Sequence, residues 1–300
     1  MAAQLHDDQI PCDTGLVRRL LAAFCPQWAQ LPLTPVASTG TDHHVYRLGE
    51  ALCVRVPMRP SAAPQLAGEV QWLDRIARAL PVAVPDVVHA GEASALLPWP
   101  WSVRRRVPGT AMAEAAELGD PELAGELGAI IEALQGVDPA GIPAPGPHNF
   151  GRGCPLAQRD GVTRASLAQL PPGLDAGQLG RVWAQALAAP VHEGPGVVVH
   201  GDINRGNLVL DRNGRIAGLL DWGGMAAGDP AVDLMAAWTV LDGSARAALL
   251  RQLAPEEAVL RRARGWALSV AALQWPYYRT SNPALADRAL VVLRSVLEPG

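Results

Sequence analysis

Hydrophobic side chains follow two different periods in the first third of the chain. Apolar residues three to four positions apart predict a helix after the N-cap Asp13 that runs through Leu16, Leu20, Leu21 and Phe24. Short β-type segments at 45–48 and 51–56, joined by Gly49-Glu50, then predict a hairpin. Further strands are predicted at 86–89 and 101–107. This part of the chain is therefore expected to be rich in β-structure.

One more helix is predicted between these strands, from 60 to 80. Its expected apolar face is formed by Leu66, Val70, Leu73, Ala77 and Leu80, which recur at helical spacing. The pattern predicts that this face packs against the sheet or the rest of the molecule.

The pattern becomes mainly helical after Pro108-Gly109. Helices are predicted at 121–135, at 174–192 and from 230 onward, and the Pro- and Gly-rich segment 136–155 predicts a long irregular loop on the substrate side. A buried strand at 197–199 precedes a hairpin formed by 207–210 and 215–220. We therefore expect an α+β protein with a small β-rich lobe (1–107), a hinge, and a larger helical lobe (108–300).

Composition narrows the classes of function. Hydrophobic residues make up 49% of the chain, enough for a real core, and the net charge of −4 gives no general attraction to nucleic acid or to an anionic membrane. Four cysteines without Cys-x-x-Cys spacing indicate reduced thiols. No signal-peptide pattern is visible, and the apolar run 266–278 is too short for a membrane span and contains Pro276. The expected location is the cytoplasm.

The candidate chemistry lies in the segment from His200 to Asp221. Asp202 and Asn207 are five residues apart, and Asp221 follows the second strand of the predicted hairpin. Because the hairpin turns at Asn213-Gly214, Asn207 and Asp221 should meet at its open end, where an amide and a carboxylate oxygen suit Mg²⁺. Asp202 would accept a proton from an attacking hydroxyl, as phosphoryl transfer from a nucleotide requires. His-Gly-Asp alone could be a chance turn, but the joint spacing favours function.

Three neighbouring residues are predicted to support this segment. His200 follows a buried strand, so its ring is expected to hold the loop by hydrogen bonding and to take no part in the chemistry. Asp229 precedes Pro230 and could cap the next helix. Asp233 could accept N–H groups of the loop or could be an ordinary first-turn acid.

These motifs resemble those of the aminoglycoside phosphotransferase family, which are small-molecule kinases with a protein-kinase-like fold. The matching segments are His200-Gly-Asp-x-x-x-x-Asn207, Leu220-Asp-Trp222 and Gly228-Asp-Pro-x-x-Asp233, with weaker matches at 40–48, 99–102 and 145–150. The resemblance implies a two-lobed kinase-like fold, ATP or GTP as phosphoryl donor, and Mg²⁺.

The resemblance also implies a nucleotide site in the first lobe. Arg55 would take the place of the usual phosphate-binding lysine, because the chain has no lysine, and Glu69 would pair with it. Backbone N–H groups of Thr41 and Asp42 would face the phosphates, and backbone groups from Arg105 to Val107 would face the base. A solvated strand Arg55 and a surface Glu69 are the alternative.

The remaining assignments are less specific. Asn204 and Arg205 could touch the transferred phosphoryl group, although an exposed Arg205 fits equally well. The run 104–106 is interpreted as a solvated hinge. Three tryptophans are expected in the core, and two tyrosines at a cleft; these residues are Trp238, Trp266, Trp275, Tyr277 and Tyr278.

The predicted acceptor is a small-molecule alcohol, an aminoglycoside or similar antibiotic that phosphorylation would inactivate. A cationic acceptor would need carboxylates around the cleft, and the helical lobe offers several acids, most of them expected on solvated faces: Glu114, Glu117, Asp120, Glu122, Glu256 and Glu257. Kinases of choline, homoserine or fructosamine type, a non-catalytic nucleotide-binding protein and a metal-dependent phosphohydrolase are the alternatives. The sequence leaves the oligomeric state open.

Overall fold

The computed structural model describes residues 8–36, 42–114 and 121–298. Its strands are β1 (Leu33–Pro35), β2 (His43–Leu48), β3 (Leu52–Pro57), β4 (Val87–Gly91), β5 (Trp101–Arg105), β6 (Thr110–Ala111), β7 (Val197–Val199), β8 (Leu208–Leu210), β9 (Ile216–Leu219) and β10 (Ala226–Gly228). Its α-helices are α1 (Thr14–Phe24), α2 (Gln65–Ala77), α3 (Pro121–Gln135), α4 (Asp160–Leu167), α5 (Ala176–Ala188), α6 (Ala231–Leu234), α7 (Ala236–Thr239), α8 (Gly243–Leu253), α9 (Glu257–Tyr278) and α10 (Pro283–Ser295).

The first part of the chain forms an antiparallel sheet with the strand order β1-β2-β3-β5-β4. The predicted hairpin is β2–β3, and Gly49 takes the left-handed conformation (φ 58°) that its tight turn requires. Helix α1 begins as predicted, because the Asp13 carboxylate accepts the Leu16 N–H at 2.7 Å. Apolar side chains of α1 and the sheet, such as Leu20, Val54 and Trp101, form a core of their own.

Helix α2 is present, but its buried face differs from the predicted one. Val70 is 49% exposed, whereas Leu66, Glu69, Leu73 and Ile76 are buried. The residue that follows Leu66 on the buried face is therefore Glu69, three positions later, and not Val70, four positions later. The buried face thus includes a carboxylate. The prediction that Val70 lies on the apolar face is wrong, because an ion-pair network described below places Glu69 inside.

The second part of the chain is largely helical and packs around α9, which contacts α4, α5, α6 and α10. Trp266 is fully buried and Trp238 nearly so, as expected of core tryptophans, while Trp275 is partly buried against the same core. Pro276 does not interrupt α9, which continues to Tyr278. Pro276 lacks the N–H that would bond to the Ala272 carbonyl, but the last turn still closes through Arg279 N–H to Trp275 O at 3.0 Å.

Two small antiparallel pairings hold the segment that carries the motif. Strand β7 pairs with β10, and β8 lies between β6 and β9. The turn between β8 and β9 is closed by Asp211, whose Oδ1 accepts N–H groups of Asn213 and Arg215 at 2.7 and 3.0 Å. The predicted motif hairpin is confirmed.

The hydrophobic cores do not divide at the predicted hinge. Leu73 and Ile76 of α2 belong to the larger core, together with Leu127 of α3 and Trp266 of α9. The division into lobes at residues 107 and 108 therefore stays a prediction. Among the helices of the described residues, none has the length and apolar character needed to cross a membrane.

Candidate active site

The loop after β7 is held to α6 by one buried carboxylate. Both oxygens of Asp233 accept backbone N–H groups, from His200 and from Gly201, each at 2.7 Å. Gly201 has φ 79°, and a Cβ there would lie 2.5 Å from the Gly224 carbonyl oxygen, so the loop requires glycine. The prediction that Asp233 accepts N–H groups of this loop is confirmed. Asp229 accepts the Ala231 N–H at 3.0 Å and forms a buried ion pair with Arg262.

The ring of His200 joins two segments of the site. Its Nδ1 accepts the Asp202 N–H at 3.2 Å, so its Nε2 carries the proton and donates to the Leu220 carbonyl at 2.9 Å. The rings of His200 and Trp222 pack edge to face, with their centroids 4.7 Å apart. Burial lowers the pKa of His200, which keeps the ring neutral. Its predicted supporting role is confirmed.

Asp202 lies at the floor of an open cleft, with 32% of its side chain exposed. One carboxylate oxygen lies 3.2 Å from Arg152 Nη1, and the other accepts Nδ2 groups of Asn204 and Asn207 at 3.1 and 3.2 Å. Surrounding protein raises the pKa of Asp202 by desolvation, and Arg152 opposes that rise. The carboxylate is thus oriented from both sides and open to the cleft.

Asn207 and Asp221 meet at the open end of the β8–β9 hairpin, as the turn geometry predicts. The Leu220 N–H donates to the Asn207 carbonyl at 2.7 Å, which places the two side chains on adjacent strand ends. Asp221 has a left-handed backbone (φ 62°), an uncommon conformation for a residue other than glycine that often marks a functional site. The Asn207 Nδ2 is used by Asp202, and no described residue donates to its Oδ1.

This donor set fits a magnesium ion. The Asn207 Oδ1 and the partly exposed Asp221 carboxylate supply two oxygen ligands, and magnesium commonly completes its shell with phosphate oxygens and water. No group of three or more His, Cys, Asp or Glu side chains that could hold a metal occurs among the described residues. An independent protein cage for a metal is therefore absent from that part of the chain.

Arg55 is the centre of a buried ion-pair network. Its Nη1 lies 2.8 Å from Glu69 Oε1, its Nη2 contacts Asp221, and Arg104 contacts the second oxygen of Glu69. Burial alone would lower the pKa of Arg55, but Asp221 and Glu69 raise it. Burial would raise the pKa of Glu69, and Arg55 and Arg104 lower it. Both residues are buried, so the alternative of a solvated Arg55 and a surface Glu69 is wrong.

Arg104 was missed by the sequence interpretation. The prediction of a solvated run at 104–106 is wrong for Arg104, which is 2% exposed and donates through Nε to Ser102 Oγ at 2.9 Å. The signal in the sequence is the spacing of Ser102 and Arg104. Alternate residues of a strand lie on the same face, so these two side chains can contact each other. Arg105, on the other face, is exposed and faces Asp86.

The backbone of the hinge leaves one donor unused. Arg105 N–H donates to Asp86 O and Arg106 N–H to Ala51 O, both at 2.9 Å, whereas no described residue accepts the Val107 N–H. Thr41 lies outside the described residues. Asp42 lies beside the site, and burial, with a smaller contribution from Asp221, raises the pKa of its carboxyl.

Asn204 and Arg205 shape the loop between Asp202 and Asn207. Asn204 Oδ1 accepts the Gly206 N–H at 2.8 Å while its Nδ2 holds Asp202. Arg205 Nε donates to the Val240 carbonyl at 2.8 Å, and the side chain is half-buried, so it is not fully exposed at a loop tip. Contact of either residue with a phosphoryl group stays a prediction.

The long loop supplies residues that the sequence interpretation did not single out. Asn149 is fully buried and donates to the carbonyls of Arg152 and Gly224 at 2.8 and 3.1 Å, which fastens the loop to the site. Arg152 forms an ion pair with Asp202, and Arg159 lines the same cavity as Arg152. The segment 145–150 matches the family motif and contains Asn149, but no local signal in the sequence indicates that Arg152 meets Asp202.

Two cavities open on this site. One has a volume of about 670 Å³ and the other about 200 Å³, and Asp42, Asp202 and Asp221 line both. Tyr277 and Tyr278 line the larger one, as predicted. Of the acids considered for cation binding, Glu122 pairs with Arg215 and Glu257 with Arg261 on the surface, and Glu256 lines neither cavity. Glu117, Asp120 and the side chain of Glu114 lie outside the described part of the chain.

Comparison with known proteins agrees with this geometry. The model of the phosphotransferase enzyme family matches residues 33–266. The GDP and kanamycin complex of APH(2")-IIia is 16% identical, with a TM-score of 0.71 over 93% of this chain and 97% of that one. ADP-bound APH(2'')-Ib is 16% identical, with a TM-score of 0.59 over 95% and 98%. Macrolide 2'-phosphotransferase MphH from Brachybacterium faecium is 24% identical, with a TM-score of 0.60 over 92% and 97%.

These structures share the fold, and a search of curated proteins finds no match. The predicted two-lobed, kinase-like α+β fold and the O-phosphotransferase class are confirmed. Because the family model covers most of the chain, the protein belongs to the phosphotransferase enzyme family.

Proposed function

We propose that this protein transfers the terminal phosphoryl group of ATP or GTP to a hydroxyl of a small molecule, in a magnesium-dependent reaction in the cytoplasm. The observation that carries the proposal is the convergence of Asp202, Asn207 and Asp221 at one cleft floor, with Arg55 in contact with Asp221. GDP and ADP in the related structures support a nucleotide donor.

Each polar residue has a proposed role. Asp202, oriented by Arg152, Asn204 and Asn207, accepts the proton of the acceptor hydroxyl as the new P–O bond forms. Asn207 and Asp221 hold magnesium, which when bound neutralises charge on the phosphates. Arg55, positioned by Glu69, contacts the donor phosphates, and Arg205 or Asn204 the transferred group.

In this proposal the base of the nucleotide binds at the backbone of residues 105–107. The unused Val107 N–H and the carbonyl groups of the segment 105–107 offer the donor and acceptor pattern that a purine edge needs. Thr41 and Asp42 would lie over the phosphates. An antibiotic alcohol is the first acceptor class to test, since the related structures include aminoglycoside and macrolide phosphotransferases.

Replacement of Asp202 tests the assignment of the base. Asp202→Asn is expected to lower kcat by about 10²- to 10⁴-fold, because proton acceptance is lost while shape is kept. Steady-state ADP formation with an acceptor measures this, and nucleotide binding is expected to be unchanged. Asp287→Asn, on the exposed face of α10, is the matched control. Full activity of the Asp202→Asn variant would contradict the proposal.

Replacement of Asp221 tests the metal site. With nucleotide at about 100 times its Kd, binding should stabilise the wild-type protein by about 2.7 kcal/mol when magnesium is present. The Asp221→Asn variant is expected to lose the magnesium-dependent part of this thermal shift. A magnesium-dependent shift of wild-type size in the variant would exclude Asp221 as a ligand. Loss of the shift, together with acceptor-independent phosphate release by the wild type, would instead favour a phosphohydrolase.

A further inference from the structure

The walls of the two cavities are unusual in their charge. The carboxylates that line them are Asp42, Asp202 and Asp221, which all lie at the catalytic floor. They are close enough there for their negative charges to repel one another. Apart from these carboxylates, the charged side chains of the described walls are arginines: Arg59, Arg152 and Arg159 in the larger cavity, and Arg205 and Arg288 in the smaller one. Such walls would repel a polycationic acceptor.

Arg159 differs from the other arginines of the larger cavity. Arg59 is paired with Asp8 and Arg152 with Asp202, whereas no described carboxylate lies within ion-pair distance of Arg159. Its Nε donates to Ser269 Oγ at 3.0 Å, its Nη1 to the Phe150 carbonyl at 3.4 Å, and its guanidinium lies 4.9 Å from the Trp266 ring centroid. These contacts fix the group without neutralising it.

The electrostatic surroundings of Arg159 favour an added anion. Burial, and then the positive charge of Arg152, lower the pKa of Arg159 to about 10. A guanidinium that is partly desolvated beside another cation gains more from a bound anion than a solvated one does, and its planar donors match a carboxylate or phosphate. All three partners of Arg159 lie in the helical part of the chain, whereas Arg55 lies on β3 of the sheet.

The larger cavity also presents exposed apolar side chains, beside uncharged polar ones such as Gln65, Gln169 and Gln274. Val162, Tyr277 and Phe150 line it and are 52%, 50% and 42% exposed, and Val270 and Leu273 add to the wall. Large apolar side chains left open in a cavity of about 670 Å³ indicate a ligand that covers them.

We propose that the acceptor is an alcohol with an apolar body and one anionic group, with Arg159 binding the anion while Asp202 faces the hydroxyl. This inference rests on the proposed function and narrows its substrate class. A hydroxy acid with an apolar body fits both the exposed apolar side chains and the unpaired arginine, whereas a polyamine sugar would meet arginines on the wall.

Three probes of one shape test the inference: 6-(hydroxymethyl)naphthalene-2-carboxylate, its carboxamide, and the analogue with an aminomethyl group in that position. Each is titrated calorimetrically into protein saturated with magnesium and a non-hydrolysable ATP analogue. The carboxylate should bind about tenfold or more tightly than the amide, as a charge-assisted hydrogen bond provides, and the amine weakest. Binding of none, equal binding of all, or preference for the amine or kanamycin overturns the inference.

Substitutions of Arg159 test whether this residue causes the preference for the carboxylate over the carboxamide. Arg159→Gln should remove the advantage of the carboxylate and leave the affinity for the amide unchanged, and Arg159→Lys should restore part of it. Arg164→Gln is the matched control, because Arg164 lies in α4, which begins one residue after Arg159, and pairs with Asp160 on the surface. An equal loss for carboxylate and amide, or weaker nucleotide binding, in Arg159→Gln would show a role other than anion recognition.

Turnover separates this inference from the function on which it rests. ADP formation with ATP and magnesium is measured for the naphthoate probe and for kanamycin. Phosphorylation of kanamycin in preference to the naphthoate would keep the phosphotransferase proposal and overturn the anionic acceptor. Absence of any magnesium-dependent thermal shift by nucleotide would contradict the proposed function itself.

Discussion

Glu69 lies between two arginines, with one carboxylate oxygen at Arg55 and the other at Arg104. All three side chains are less than a tenth exposed. Buried charges are stable only when they are paired and hydrogen-bonded, so removal of one member costs more than the loss of an exposed pair. The same carboxylate holds the arginine that reaches Asp221, which links stability to the proposed metal site.

The Glu69→Gln variant is expected to be destabilised by about 3–5 kcal/mol at pH 7, because buried Arg104 loses its described counter-charge and buried Arg55 keeps only Asp221. Urea unfolding measures this. Glu50→Gln is the control, since Glu50 is 93% exposed beside Arg47, and it should stay within about 0.5 kcal/mol of wild type. A loss below about 1 kcal/mol for Glu69→Gln would contradict the stabilising role of the network.

The pH dependence of this effect has a definite sign. The pKa of Glu69 is lowered in the folded protein, so its ionised form adds stability above the ordinary value of 4.5. That stability is lost as the pH falls below 4.5 toward the folded pKa. The difference in unfolding free energy between wild type and Glu69→Gln should therefore shrink over this range.

At the scale of an element, α2 shows how hydrophobic spacing can indicate the right helix and the wrong face. Leu66 and Leu73 are compatible with a stripe through either Val70 or Glu69, because positions three and four residues apart are both neighbours on a helix. The network around Arg55 selects the stripe through Glu69, and Val70 points outward. Ile76, three residues after Leu73, then enters the larger core.

Alanine substitutions distinguish the two faces of α2. Leu73→Ala is expected to cost about 2–5 kcal/mol, because a buried side chain leaves a cavity in the larger core. Val70→Ala, at a position 49% exposed, should change the unfolding free energy by less than about 0.5 kcal/mol. Urea unfolding measures the free energy of both variants. A larger loss of stability for Val70→Ala than for Leu73→Ala would show that Val70 lies on the buried face, as periodicity predicts.

At the scale of the whole molecule, stability depends on burying neutral histidines on both sides of the cleft. His43 on β2 is 7% exposed and His200 is fully buried. Burial lowers the pKa of each below 6.5, with Arg55 and Arg104 contributing at His43. A group with a depressed folded pKa favours the unfolded state once the unfolded form gains its proton, so stability decreases as the pH falls through 6.5.

The unfolding free energy is therefore expected to fall between pH 7.5 and 5.5, with each histidine contributing at most about 1.4 kcal/mol per pH unit. His43→Leu should show a smaller slope than wild type, because one of these protons is no longer taken up. His192→Gln, in an external turn before β7, is the control. Identical slopes for wild type and His43→Leu would contradict the contribution of His43. Thermal or urea unfolding at several pH values measures the slopes.

Local features were determined by the sequence itself. The cap at Asp13, the hairpin turn at Gly49, the turn at Asp211 and the spacing of Asp202, Asn207 and Asp221 depend on contacts within a few residues or across one hairpin. Such contacts follow from backbone preferences and strand alternation, which a single chain displays. The family resemblance, and with it the fold and enzyme class, rests on these segments.

Tertiary structure alone decided which charged side chains meet. Arg55 and Asp221 are 166 residues apart in the chain, Arg104 and Glu69 are 35 apart, and Arg159 and Ser269 are 110 apart. No local pattern distinguishes a paired arginine from a solvated one, because burial and partners come from distant elements. The sequence by itself indicated that Asp202, Asn207 and Asp221 lie together, whereas long-range packing decided which arginines and exposed apolar side chains line the cavities beside them.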